Sequence, residues 1–304
     1  MCLNIRWHDI GLLRNQSSKK IFMFLQYLHV FVRNVPRVFP LGGGPSPVHS
    51  ARTKNNVKVY PKIREVPKVF NVPAHIFQTM KILGLAGSPR GKKSITLRLV
   101  EAGVAGAIAA GAEGTLIDIS SMTILRCKGC GECYRTGRCT QDDDLYFVLE
   151  SMIAADGLII GSPAYGGGIT PKAECLMERL GDVARCRLLE GKFGFSISVS
   201  RDGDEELVAA LINRFLNGCG VTTTGHFSLS ADKNGLPDGA MAEAKRLGAD
   251  LAIAIKERRR YPAQEEAWTR SLGEFEETVR ANKEEWPHDY EHWLKKGWLK
   301  SGPR

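Results

Sequence analysis

The sequence predicts an α/β fold built on one doubly wound, five-stranded parallel sheet in the order 2-1-3-4-5. Three observations point to it. From Lys81 onward, short apolar runs alternate with segments of helical period, the pattern of repeated strand–helix–strand units. Five apolar strands alternating with helices predict one parallel sheet covered on both faces. Two Gly-Ser-Pro turns, at 87–89 and 161–163, follow the first and third runs, which flank the reversal point of that strand order.

Taken in order, KILGLAG (81–87) is the first strand, and ITLRLVEAGVAGAIAAG (95–111) is an Ala-rich helix stopped by Gly111. EGTLIDIS (113–120) is the second strand. A cysteine-rich loop follows, and then the helix LYFVLESMIAAD (145–156). Asp142, Asp143 and Asp144 supply its N-cap and the negative charge a helix N-terminus favours. GLIIGSPAY (157–165) is the third strand, running into a Gly-rich loop, and PKAECLMERLGD (171–182) is a helix with Pro171 in its first turn. KFGFSISVS (192–200), DEELVAALINRFLNG (204–218), VTTTGHFSL (221–229) and GAMAEAKRLGADLAIAIKERRR (239–260) complete the sheet and its cover.

Two segments stand outside this pattern. Residues 1–79 hold half of the 14 prolines, the loop-like PLGGGPSPVHS, and no lasting period. They read as a basic, Pro-rich extension that is disordered or not native, with Met80 as the start; a targeting presequence is the second reading. Their most apolar run, Ile21 to Val32, is 12 residues long and too short to span a bilayer. Residues 261–304 hold four of the five tryptophans and read as a charged helix followed by an aromatic-rich tail. That tail is expected to pack on its own domain or on a partner subunit, with a substrate lid as the sharper alternative. The α/β domain proper is residues 80–260.

Charge excludes one class of function. Residues 1–80 carry 12 Lys+Arg against 2 Asp+Glu, whereas the other 224 residues carry 30 against 31. The body is neutral, so the net charge of +9 does not mark a nucleic-acid-binding domain.

Chemistry concentrates in four places. GSPRGKKSIT (87–96) joins the first strand to its helix and offers Ser88, Arg90, Ser94 and Thr96 beside the unpaired N–H groups of a helix N-terminus, a cradle for a phosphate monoester. Neither the Walker spacing nor the dinucleotide fingerprint is present. GSPAYGGGIT (161–170) offers Pro163, Ala164, Tyr165 and Gly166: exposed backbone N–H groups and a flat aromatic face, suited to a planar heteroaromatic. SVSRDGD (198–204) lies next to the same crevice, so Ser200, Arg201 and Asp202 are candidates for the ring edge. A phosphate and a flat ring in one crevice describe flavin mononucleotide (FMN). The fourth place is CKGCGECYRTGRC (127–139), four cysteines at spacings of two, two and five residues.

These motifs together resemble the flavodoxin-like NAD(P)H-dependent FMN reductases, and within them the iron–sulfur flavoprotein branch. The resemblance runs from about Met80 to Tyr261. It implies a flavodoxin-like fold, FMN held by the two turns, a homodimer or homotetramer, and a [4Fe-4S] cluster on the cysteine loop. One departure is that the loop before Thr96 is a residue longer than usual, with Ile95 where Asn is common.

For Cys127, Cys130, Cys133 and Cys139 the favoured occupant is the cluster, since glycines let the backbone approach the sulfides. A zinc ion and a metal-free thiol loop remain as alternatives; structural zinc sites more often pair two knuckles across a longer spacer. Cys175, Cys186 and Cys219 read as buried small residues. The function expected is a cytoplasmic oxidoreductase taking hydride from NAD(P)H through FMN to the cluster or an external acceptor. The alternative is an electron carrier reduced by ferredoxin. No single catalytic side chain is expected, since the cofactor carries the chemistry. No membrane partner is expected.

Overall fold

The computed structural model describes residues 79–201, 203–231 and 235–299. The expectations for residues 1–78 and for Asp202 lie outside the described residues.

Five strands form one parallel sheet in the order β2-β1-β3-β4-β5. They are β1 (Lys81–Ala86), β2 (Glu113–Asp118), β3 (Gly157–Pro163), β4 (Phe193–Ser200) and β5 (Thr222–Ser230). Every residue of β3 and β4 is buried, the alternating serines of β4 included, so the centre of the sheet is covered on both faces. The edge strands β2 and β5 are largely open.

Alternate residues of each strand serve opposite faces. Leu83, Leu85, Leu158 and Ile160 pack on one side with Val148, Leu176 and Ile212. Ile82, Ile159, Phe195 and Ile197 pack on the other with Leu99, Val100 and Leu251.

The helices in chain order are α1 (Ile95–Ala109), α2 (Glu132–Thr136), α3 (Leu145–Ala154), α4 (Pro171–Arg179), α5 (Gly181–Arg185), α6 (Glu205–Gly218), α7 (Ala240–Glu257), α8 (Pro262–Ala281) and α9 (Pro287–Lys295). The aromatic end of the tail is a helix, α9, in keeping with the helical, Trp-rich tail expected. Two expectations need correction. The segment 171–182 is two helices, broken at the fully buried Leu180. Asp144 occupies the N-cap of α3 without a side-chain cap bond, and Asp143 Oδ1 accepts from the Leu145 amide instead.

Helices α1 and α7 meet backbone to backbone. A Cβ added at Gly248 would lie 1.7 Å from the Gly103 carbonyl oxygen, and one at Gly106 would lie 1.9 Å from that of Lys245. Gly248→Ala is therefore expected to destabilise. Overpacking costs up to about 3 kcal/mol, and the better helix propensity of alanine returns about 1. A net loss of about 2 kcal/mol in urea unfolding is expected; an unchanged midpoint would show that the helices separate freely.

The tail packs on the domain's own body. Trp293 is buried and its indole Nε1 donates to the Arg185 carbonyl at 3.0 Å. Gln264 bridges the Thr223 amide and carbonyl at 2.9 and 2.7 Å. Among the described residues no helix is long and apolar enough to cross a membrane.

Candidate flavin cleft and cysteine loop

A cleft of about 210 Å³ opens beyond the carboxyl ends of β1, β3 and β4, where the strand order reverses. Ser88, Arg90, Ser94, Thr96, Pro163, Ala164, Tyr165, Ser200 and Arg201 line it. Gly166 lies in the turn beside it and is not among the lining residues. Ile95, Val199 and Ala231 also line it, and sequence reasoning did not place them there.

Local chemistry explains the shape. Ser94 caps α1, accepting from the Leu97 amide at 3.1 Å. Its hydroxyl proton is left to donate outward. Ser88, Ser94 and Thr96 are each at most 3% exposed, so three buried hydroxyl groups border one helix N-terminus. The two turns are sewn together. The Gly87 amide donates to the Gly161 carbonyl at 2.8 Å, and Thr170 Oγ1 donates to the Gly87 carbonyl at 2.7 Å. Tyr165 and Gly168 exchange backbone hydrogen bonds at 3.0 and 3.2 Å around Gly166 and Gly167, whose φ values of 58° and 78° suit a primed turn. That turn leaves the Tyr165 ring 41% exposed. The Arg90 guanidinium sits 6.0 Å from the ring centre.

The cysteine loop follows β2 and carries α2. Cys130 is exposed, and Cys127, Cys133 and Cys139 are half-buried; none is in a disulfide. The Gly129 amide donates to Cys127 Sγ at 3.3 Å. Gly129 and Gly131 hold φ of 65° and 70°, which other residues rarely adopt. The Cys133 thiol is pushed up to about 12 by burial, and then by Asp182 and Cys139.

Helices α3 and α4 hold the loop in place. The Cys127 amide donates to Glu178 Oε2 at 3.1 Å, and the Cys139 amide to the Tyr146 hydroxyl at 2.6 Å. Gln141 Nε2 donates to the Arg126 carbonyl at 3.1 Å. Arg179 Nη1 donates to the Leu125 carbonyl at 2.9 Å and to Asp143 Oδ2 at 2.7 Å. Arg179 Nε is buried with no hydrogen-bond partner, and the guanidinium acts on Cys139. A metal-bound thiolate at Cys139 suits that unpaired donor. Sequence reasoning missed Glu178, Arg179, Gln141 and Tyr146; their partners lie too far along the chain to leave a local signal.

Comparison with known proteins agrees with this geometry. The family profile described as NADPH-dependent FMN reductase matches residues 80–234. An iron-sulfur flavoprotein of Archaeoglobus fulgidus is 29% identical over 228 residues, 72% of this chain and 100% of its own length. One of Methanocaldococcus jannaschii is 36% identical over 139 residues, 45% of this chain and 71% of its own. Among solved structures, the apo form of an NADH:FMN oxidoreductase gives a TM-score of 0.43 at 17% identity, covering 58% of this chain and 90% of that one. A flavodoxin from the domain Archaea gives 0.41 at 17%, covering 58% and 99%. With a family profile spanning half of it and a relative matched over its full length, this chain belongs to the NADPH-dependent FMN reductase family, in its iron–sulfur flavoprotein branch, and is an FMN flavoprotein oxidoreductase.

Proposed function

We propose that the protein takes reducing equivalents from NAD(P)H at an FMN held in the cleft and passes them to a [4Fe-4S] cluster on Cys127, Cys130, Cys133 and Cys139, or to an external acceptor. The observation that carries this reading is the cleft itself, with three buried hydroxyls at a helix N-terminus on one side and an exposed aromatic turn on the other. When bound, FMN supplies exchange of both hydride pairs and single electrons.

The chain's own part is binding and exclusion. Ser88, Ser94 and Thr96 donate to the phosphate, together with the α1 amides, and Arg90 neutralises it from the mouth of the cleft. The 163–166 turn orients the ring, with Ser200 and Arg201 along its edge.

For the cysteine loop, four thiols within thirteen residues, with glycines that let the backbone approach the sulfides, support a [4Fe-4S] centre. A homo-oligomer in the cytoplasm is part of the same reading. The test is the visible spectrum, iron and sulfide content of anaerobically purified protein, with steady-state oxidation of NADH and NADPH. A flavin spectrum with neither donor oxidised would favour the carrier reduced by ferredoxin instead.

Arg90→Ala is expected to weaken FMN by about 1.5–3 kcal/mol, the range for a hydrogen bond to a charged group. Riboflavin, which lacks the phosphate, should bind parent and variant alike. Equal losses for both ligands, read by fluorescence quenching, would remove Arg90 from the phosphate site.

A further inference from the structure

A second cluster of ligand-type side chains lies away from the flavin cleft. Cys186 closes α5, and His288 and Asp289 open α9. Asp289 Oδ1 is 3.5 Å from Cys186 Sγ and 3.3 Å from His288 Nδ1. All three ligand atoms lie within 4.8 Å of one another. Cys186 and Asp289 are fully buried, and the His288 side chain is 34% exposed.

Those separations match one ion. Tetrahedral zinc, with bonds of about 2.3 Å to sulfur and 2.0–2.1 Å to nitrogen and oxygen, sets its S···O edge near ~3.5 Å and its N···O edge near ~3.3 Å. Sulfur, imidazole and carboxylate together are also a donor set that zinc accepts. We propose that Cys186, His288 and Asp289 form a zinc site, with water in the fourth position, that staples α9 to the end of α5.

The surroundings support the assignment. Asp289 Oδ2 lies 3.0 Å from Arg185 Nε as an ion pair, while Oδ1 is the oxygen turned to Cys186 and His288. Arg185 is itself held over the Tyr134 ring at 3.3 Å and the Trp286 ring at 4.3 Å, so it is anchored beside the site rather than in it. A thiolate and the Asp289 carboxylate together balance the zinc charge, and Arg185 keeps its charge against the faces of the Tyr134 and Trp286 rings. The positive end of the α9 dipole opposes a cation only weakly compared with two anionic ligands.

The staple has a structural reason. The tail has its own small core of Val279, Trp293 and Leu299, separate from the two cores of the sheet. His288 also lies directly over Gly137 of the cysteine loop, where a Cβ would come 2.5 Å from its Nε2. A metal here therefore fastens the tail and braces one side of that loop.

The loop thiols bind zinc too once free, so the test removes them. The full chain with Cys127, Cys130, Cys133 and Cys139 all changed to serine is titrated with zinc against a chromophoric chelator, bound flavin reporting the fold. One zinc per chain is expected. In that background His288→Gln, at a half-exposed position, should weaken zinc by about a hundredfold or more, beyond the ~10–100-fold cost of losing a supporting partner. Cys186→Ser should abolish the thiolate-to-metal charge-transfer band of the cobalt-substituted protein. Should the four-serine chain fail to fold, metal analysis of the cluster-loaded parent replaces it, with one zinc beside the iron expected and its loss in His288→Gln. No zinc at micromolar concentration, or zinc held as tightly after His288→Gln, would overturn the site.

Discussion

Replacing any one of Cys127, Cys130, Cys133 or Cys139 with serine is expected to strip or degrade the iron centre while FMN stays bound. The four thiols sit on one loop after β2, braced by α3 and α4. The cradle proposed for the flavin is formed by the two Gly-Ser-Pro turns, whose hydrogen bonds among the described residues run to each other and within the start of α1. The two losses should therefore separate. Cys175→Ser and Cys219→Ser should leave both the iron and the flavin in place. Cys219 is fully buried and Cys175 packs against the core of its face. The measurement is iron and sulfide content and the broad absorbance of the cluster, read beside flavin released by heat. Full iron retention in Cys130→Ser, or stoichiometric zinc on the loop of the purified parent, would sink the cluster assignment. Retained oxidation of NAD(P)H by a cluster-free variant would place the cluster after the flavin in the electron path.

The cleft at the carboxyl ends of the strands was legible in the sequence because its parts are local. A turn that must expose backbone N–H groups, followed by a helix that must be capped, demands Gly, Ser and Pro at adjacent positions, and 87–96 shows them in order. The sheet was legible because short apolar runs such as GLIIG in β3 alternate with helical segments; the serines that alternate along β4 (FGFSISVS) are buried all the same, which its pattern alone does not announce. What the sequence concealed is tertiary. Arg179 and Glu178 look like the solvated face of an ordinary helix, yet one is buried in an ion pair and the other holds the Cys127 amide. Cys186 and His288 are 102 positions apart, and nothing local announces that α9 brings them together. The break between α4 and α5 carries no proline; burial of Leu180 decides it, and burial depends on the fold.

Arg179→Met is expected to be the most damaging substitution outside the cores. The Arg179 and Asp143 side chains are 1% and 0% exposed and 2.7 Å apart, and both grip Leu125 at the entrance to the cysteine loop. Removing one partner leaves the other charge buried and unpaired, which costs about 3–5 kcal/mol. Replacing both, as Arg179→Met with Asp143→Leu, should recover much of that loss, because a well-packed apolar pair is often neutral. Iron occupancy should not recover with it, since the Leu125 carbonyl and amide would both lose their partners. The pH dependence gives an independent check. Burial pushes the Asp143 carboxyl up, but hydrogen bonds from Arg179 and the Leu125 and Leu145 amides outweigh it, and the net shift is downward. A depressed carboxylate stabilises the fold above its unfolded value, and that contribution fades as pH falls below it. The parent's advantage over the double variant in urea unfolding should therefore be constant from pH 7 to about pH 5 and shrink below about pH 4. A single variant within about 1 kcal/mol of the parent at pH 7, the range of an exposed pair, would show that solvent reaches this contact and that the loop is held by other means.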